Sequence, residues 1–268
     1  MTGQERFQDS LNAANMGNNA TASDDSDLDK TFRYRCNVMY DGTNYNGFQL
    51  QHYQPSIQGL LETVLSRKLQ RRTRVVGAGR TDSGVHSRGQ VVHFDSSENI
   101  TDLQKFQHGM NLMLPLDVKI CGLEHVQDLD FVPHLNETRK WHAIYSARKK
   151  LYSYRIFIGK VQDPITRHSR HHEYRNVDLD LLREVAAMFE GTHDFSAFSN
   201  TRGDNSTMDT VRTIYRVGVV FEGEGNVRLD FELDGALYKM VRNIVGTILA
   251  VGGTEETFQW LLLLMDSA

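Results

Sequence analysis

Phe32, Tyr34, Cys36, Val38 and Tyr40 occupy every second position, with Arg33, Arg35 and Asn37 between them. A period of two sends one row of side chains into a core and the other to the opposite face, so this stretch must be a half-buried strand. The same alternation returns in Tyr152, Tyr154, Ile156 and Ile158. Each strand precedes a helical pattern. Pro55-Ser56 opens a helix whose Ile57, Leu60, Leu61, Val64, Leu65 and Leu69 share one face. Asp178 can cap another through Glu190, with Leu181, Leu182, Val185, Ala186 and Phe189 inward and Gly191 as its stop. Short strands are expected near Arg74–Ala78, Gln90–Phe94 and Asp117–His125, with Phe131–Ile144 as a connecting stretch. Thr213–Phe221 and Val227–Leu233 should form a hairpin across the glycine-containing Glu222–Asn226. Tyr238–Val251 reads as a helix stopped by Gly252-Gly253, and a final helix begins near Thr254. Strand–helix–strand runs on both sides of the middle imply an α+β protein of two similar halves, without a repeat in the sequence itself.

Residues 1–30 are rich in Asn, Ser, Asp and Ala and poor in apolar residues, which predicts a disordered tail. The tail lacks the apolar core of a secretory signal, and its acids do not suit a transit peptide. No stretch of the chain approaches the roughly 20 apolar residues of a membrane helix. Cys36 and Cys121 stand far apart with no CxxC spacing, which argues against a zinc site or a disulfide framework and fits a reduced compartment. Six acids and two bases in residues 1–30 account for the whole net charge of −4. The remaining charges balance in number but not in position. Arg67 to Arg88 holds seven Lys/Arg against Asp82 alone; Arg139 to Arg175 holds ten against Asp163 and Glu173, with four histidines. Such strips are either solvated faces or tracks for a polyanion.

Gly77-Ala-Gly-Arg-Thr-Asp-Ser-Gly84 is the candidate functional loop. It lacks the third glycine of a dinucleotide fingerprint, and Val85-His86 stands where a Walker loop needs Lys-Ser/Thr. What it presents is one carboxylate, Asp82, beside Arg80, on a backbone free to turn tightly. Alone, Asp82 reads better as a turn cap than as a functional group. His168, His171 and His172 lack a partnering carboxylate pattern and predict no metal site.

The longer string GAGRTDSGVHSRGQVVHF, Gly77 to Phe94, closely resembles the signature of the TruA-type tRNA pseudouridine synthases. Tyr40-Asp-Gly-Thr-Asn-Tyr-Asn-Gly-Phe48 is similar to that family's first-strand motif, and Ser56-Ile-Gln-Gly59 to the helix start that follows it. Leu151-Tyr-Ser-Tyr-Arg155 resembles its tyrosine strand, Gly191-Thr-His-Asp-Phe-Ser-Ala-Phe198 a loop of its second half, and Met240-Val-Arg-Asn-Ile-Val-Gly246 its late helix. The resemblance implies two α/β halves sharing an extended, mostly antiparallel sheet with helices on one side and a basic cleft. It implies breakage of a uridine's glycosidic bond, rotation of the uracil and reattachment through C5, with no cofactor and no metal. By the same resemblance Asp82 is the essential aspartate, as nucleophile or as base. Tyr152 would stack on the target base, and Arg80 and Arg242 would hold the carboxylate charged and placed. Arg242 flanks the apolar face of its helix, where a buried charge needs a partner, and Asp82 is the expected one. The implied partners are tRNA, at anticodon-stem positions 38 to 40, and a second copy of the chain, in the cytoplasm.

Two departures stand out. Trp141-His-Ala-Ile144 occupies the place of the family's usual Phe-His-Ala-Arg. The family also continues past the late helix through a closing loop and strand, so this chain is expected to be truncated there. The expected organisation is a tail over 1–30, a half over 31–135 that carries the catalytic loop, and a half over 136–268. The rivals to an active synthase are a truncated RNA-binding relative without activity, and a hydrolytic enzyme using Asp82 with a metal.

Overall fold

The computed structural model describes residues 31–126, 129–132, 136–200 and 209–251; the expected tail and the expected final helix lie outside them. The chain divides into two units between Ser146 and Ala147, not at 135/136. The reason is local. Strand β5 (Leu129–Val132) pairs antiparallel with β6 (Glu137–Lys140), and the residues after β6 bond back to the first unit. Arg33 Nη1 donates to the Trp141 carbonyl at 2.9 Å, and Ala143 N donates to His93 Nδ1 at 3.2 Å.

In the first unit β1 (Phe32–Tyr40), β2 (Val75–Gly77), β3 (Ser87–Ser96) and β4 (Val118–Val126) form an antiparallel sheet in the order β2-β3-β1-β4. The alternation of β1 does what it requires: Tyr34, Cys36, Val38 and Tyr40 are buried. They pack in one core with Ile57, Leu60, Leu61, Val64 and Leu65 of helix α1 (Ile57–Leu69). Ser56 caps α1 by accepting from Gly59 N at 3.3 Å, and Gln70 closes it in the left-handed region at φ 51°. The segment 95–116, for which no helix is expected above, contains helix α2 (Leu103–Met113), capped by Asp102. Its Gly109 and polar residues weaken the helical signal, and Met110 is its one fully buried side chain.

The second unit orders its sheet β8-β7-β11-β10-β9. These are β7 (Lys150–Ile158), β8 (His171–Glu173), β9 (Gly191–Asp194), β10 (Val211–Gly223) and β11 (Asn226–Leu233). Only the short β7–β8 pair is parallel. The β10–β11 turn has Glu224 at φ 50° and Gly225 at φ 77°. Positive φ at both central residues matches the right-handed twist of the two strands. Helices α3 (Leu179–Ala187) and α4 (Met240–Val251) supply Leu182, Val185, Ile244, Val245 and Ile248 to the same core as Ile156, Leu229 and Phe231. The architecture is α+β with mostly antiparallel strands, and the hydrogen-bonded ladders described lie within the units.

His93 on β3 is 3% exposed, with its ring 4.6 Å from that of His142. Burial, then the nearby charges of Arg33 and His142, push its pKa down to about 4. The folded chain therefore keeps His93 neutral while the unfolded chain takes up a proton near pH 6.5. More protons on the unfolded side means that stability falls as pH drops from 6.5 toward 4. The expected loss from this group between pH 7 and pH 5 is about 2 kcal/mol, read as a fall in the urea midpoint. His93→Gln should start less stable and show a flatter profile over that interval; an unchanged profile would count against His93 as the source.

Candidate active site

Asp82 is half-buried in the loop between β2 and β3. A glycine-rich loop is intrinsically loose, yet this one is tied at several points to residues 41–48, which follow β1. Phe48 N donates to the Thr81 carbonyl at 3.1 Å, and Gly84 N and Ser83 Oγ both donate to the Tyr45 carbonyl, at 3.2 and 3.3 Å. The hydroxyls of Tyr40 and Thr81 lie 2.9 Å apart. On the other side Ala78 N donates to the Val91 carbonyl at 2.8 Å, and the Gln90 amide donates to the Gly79 carbonyl. Bonds on both flanks therefore fix the backbone at residues 81–84.

Close approach requires glycine at particular points. A Cβ on Gly42 would lie 2.0 Å from the Val85 carbonyl oxygen. One on Gly47, which sits at φ +91°, would lie 2.5 Å from the Thr81 carbonyl oxygen and 3.1 Å from the Asp82 carbonyl carbon. The 41–48 segment and the Asp82 loop, separate in the sequence, are thus one structure, with backbone lying on backbone. Tyr45 is held in turn by its phenol, which donates to Asp117 at 3.0 Å. Burial, then this hydrogen bond and the carboxylate charge, raise that phenol's pKa and keep it a donor.

Asp41 and His86 flank the same contact. Asp41 accepts from the Thr43 hydroxyl and amide, and these bonds, with the neighbouring His86, lower its pKa despite some burial. His86 Nδ1 lies 3.1 Å from Gly42 N and 2.9 Å from Asp41 Oδ1. One ring nitrogen serves the first as acceptor or the second as donor, so it satisfies one of the two at a time. These roles of Asp41, Gly42, Gly47 and His86 are absent from the sequence reading, because only the folded backbone brings them to the loop.

The other expected site residues take definite places. Arg80 is exposed on the Asp82 loop. Tyr152 on β7 is half-buried against the core of the second unit, opposite Phe231. Arg242 is exposed, on the first turn of α4. That corrects the expectation of a buried charge: Val241, Ile244, Val245 and Ile248 form the buried stripe, and position 242 turns away from it. Ile144 is 48% exposed. His171 and His172 are consecutive residues of a strand, so their rings point to opposite faces; His172 Nε2 is 2.7 Å from the Gly159 carbonyl. Among the described residues no three His, Cys, Asp or Glu side chains are placed to hold a metal ion.

The two basic strips differ once folded. In 139–175 several cations are engaged internally: Lys149 with Glu232, Arg170 with Glu222 at 2.9 Å, and Arg175 with Glu173 at 2.7 Å. In 67–88, Arg71, Arg72 and Arg74 are exposed and have no ion-pair partner among the described residues.

Gly47 and Gly84 provide a controlled test of the clamp. Both have positive φ, +91° and +76°, but a Cβ on Gly84 meets nothing within 4 Å. Gly84→Ala should cost only conformational strain, about 1–2 kcal/mol. Gly47→Ala should cost that and also displace Asp82, lowering turnover at least tenfold further in a chain that still melts cooperatively. Equal turnover in the two variants would sink the clamp as a positioning device.

The family described as tRNA pseudouridine synthase matches residues 37–132 and 185–268. Tyr40, the 41–48 loop and Asp82 fall in the first segment and Arg242 in the second. A protein of Protochlamydia amoebophila named tRNA pseudouridine synthase A 1 is 40% identical over 84% of each chain. Proteins named tRNA pseudouridine synthase A from Streptococcus sanguinis and Anoxybacillus flavithermus are 39% and 38% identical, over 82% and 87% of this chain and 84% and 89% of theirs. Identity at that level across both halves, together with a family match over the clamped aspartate loop, means that the chain belongs to the tRNA pseudouridine synthase family.

Proposed function

We propose that this chain converts uridine to pseudouridine at positions 38 to 40 of the tRNA anticodon stem-loop, with Asp82 as its catalytic group. The observation that carries the reading is the clamp: the Asp82 carboxylate sits on a glycine-rich loop whose backbone is fixed on both sides. An isomerisation needs such placement more than it needs a reagent. The C1′–N1 bond breaks, the uracil turns, a C1′–C5 bond forms, and the proton at C5 leaves while N1 gains one. No atom or electron is supplied from outside, so neither a cofactor nor a metal enters the balance. Asp82 acts at the ribose or at the ring, as nucleophile or as base, and a carboxylate displaced by 1 Å would lose much of its rate. Tyr152 supplies an aromatic face for the everted base, and Arg80 and Arg242 hold Asp82 ionised and oriented in the RNA complex. Turning a uridine out of a stem costs a few kcal/mol, which phosphate contacts to the basic strips offset. The active form is a homodimer in the cytoplasm; among the described residues no helix is long and apolar enough to cross a membrane.

Asp82→Asn keeps shape and hydrogen bonding but removes the charge and the nucleophilic oxygen. Tritium release from C5-labelled tRNA should vanish, while tRNA affinity holds or rises because a carboxylate near phosphates is repulsive. Melting temperature should change little, since Asn also suits the turn. Retained turnover in the folded variant would falsify the assignment. A wild-type chain that binds tRNA but releases no tritium would identify an inactive RNA-binding relative instead.

A further inference from the structure

A cavity of about 260 Å³ opens at the start of β2, within the first unit. Its wall joins the turn Arg71–Arg74 to the end of β3, with Ser97, Glu98 and Thr31 on the rim. The turn is held rigidly. Gln70 lies in the left-handed region, Arg71 N donates to the Ser66 carbonyl at 3.1 Å, and Thr73 N donates to Ser66 Oγ at 2.9 Å. Thr73 is buried, its hydroxyl donating to the Arg71 carbonyl at 3.0 Å. With Thr73 anchored inward, the side chains of Arg71, Arg72 and Arg74 stand exposed around it.

The electrostatic balance of the cavity is positive. Asp95 lines it, but both of its oxygens accept from Arg33, at 2.8 and 2.7 Å. Glu98 is the other acid in the lining, against three guanidinium groups. Guanidinium is the side chain suited to bidentate contact with phosphate oxygens. Three of them spread over a four-residue turn suit successive phosphates, which a nucleic-acid chain offers and a single small anion does not.

The place of the cavity excludes a direct part in the reaction. Strand β3 starts at Ser87 beside the Asp82 loop and ends at Ser96 beside the cavity. At about 3.3 Å per residue, that puts the arginines on the order of 20 Å from the carboxylate. Only a ligand of nucleic-acid length reaches both.

We propose that this cavity is a phosphate-binding subsite that takes the tRNA backbone well outside the target stem-loop, so that the enzyme reads the body of the tRNA as well as the uridine. The inference rests on the tRNA reading above and deepens it. Such a subsite should make the enzyme prefer whole tRNA over an isolated stem-loop, and it contributes to KM and not to the bond changes.

The test compares the full chain with Arg71→Gln/Arg72→Gln/Arg74→Gln, using direct binding to whole tRNA and to the isolated anticodon stem-loop across a salt series. Whole-tRNA affinity should fall at least tenfold at moderate salt. The slope of log K against log salt should become shallower by about 2, at 0.7 to 0.9 for each lost phosphate contact. Stem-loop affinity should change less than twofold, and the triple Arg→Lys variant should recover most of the slope. If the Gln variant loses its melting transition, the single reversal Arg72→Glu at an exposed position carries the same comparison. Equal losses on both RNAs, or an unchanged slope, overturn the subsite. Adenosine monophosphate that stabilises the wild type and not the Gln variant, with the tRNA slope unchanged, would mark a free-nucleotide site and overturn it as well. The failures are separable: a wild type that binds no tRNA defeats the functional reading, whereas normal tritium release with an unchanged slope defeats the subsite alone.

Discussion

The Asp82 loop is held where it is by backbone lying against backbone. Gly42 passes so close to Val85, and Gly47 to Thr81 and Asp82, that any side chain at either position would have to displace the loop. Hydrogen bonds from Phe48, Ser83 and Gly84 then lock the contact. Glycine usually costs a fold conformational entropy. Here that cost secures a contact which larger residues could not make, and the loop gains the rigidity that its own sequence denies it. The sheet supplies the base of the clamp, since β1 ends at Tyr40, whose hydroxyl meets Thr81, and β3 starts directly after the loop.

Charge is distributed by a comparable logic. Acids engage cations along 149–175, so the high count of bases in that strip overstates what is available to a polyanion. The exposed Lys149–Glu232 pair contributes little to stability, but each of these pairs removes a cation from the pool that can meet a phosphate. The turn Arg71–Arg74 is the contrasting case: its anchor is the buried Thr73, and its cations are left outward. Counting charges along the chain cannot separate these two situations, because two of the three acids, Glu222 and Glu232, arrive from strands far away in sequence.

What was legible in the sequence follows the same division between local and non-local causes. Strands β1 and β7 and helix α1 were readable from periodicity and a Ser cap, since each is specified by its own residues. Helix α2 escaped notice because it buries so little. The β5–β6 ribbon escaped because its pairing moves residues 136–146 into the first unit, which no composition shift announces. The Asp82 loop was legible as a motif, and resemblance singled out the carboxylate. The reason the loop can hold a position was not legible, because it depends on a positive φ at Gly47 and on distances across two loops. Arg242 shows the opposite limit: the helix and its inward face were correctly read, yet the charge that flanks this face is exposed and not buried.

The isomerisation proposed above, which calls on no cofactor, would make this geometry a necessity. When no metal or bound reagent stabilises the changing charge, the protein's own groups must already stand where the transition state needs them. A tolerance of about 0.5 Å is usual for such constellations, and a free glycine-rich loop explores far more than that. On that proposal the loop also has to present its carboxylate to a bulky, everted nucleotide, so it cannot be buried under helices as the rest of the unit is. Anchoring largely through main-chain atoms meets both demands, because the positions that grip the loop hardest, Gly42 and Gly47, carry no side chain. The proposed division of labour follows: bond rearrangement depends on one rigid point near β1, while recognition of a long polyanion is left to cations at the far end of β3, where small positional errors cost affinity and not rate.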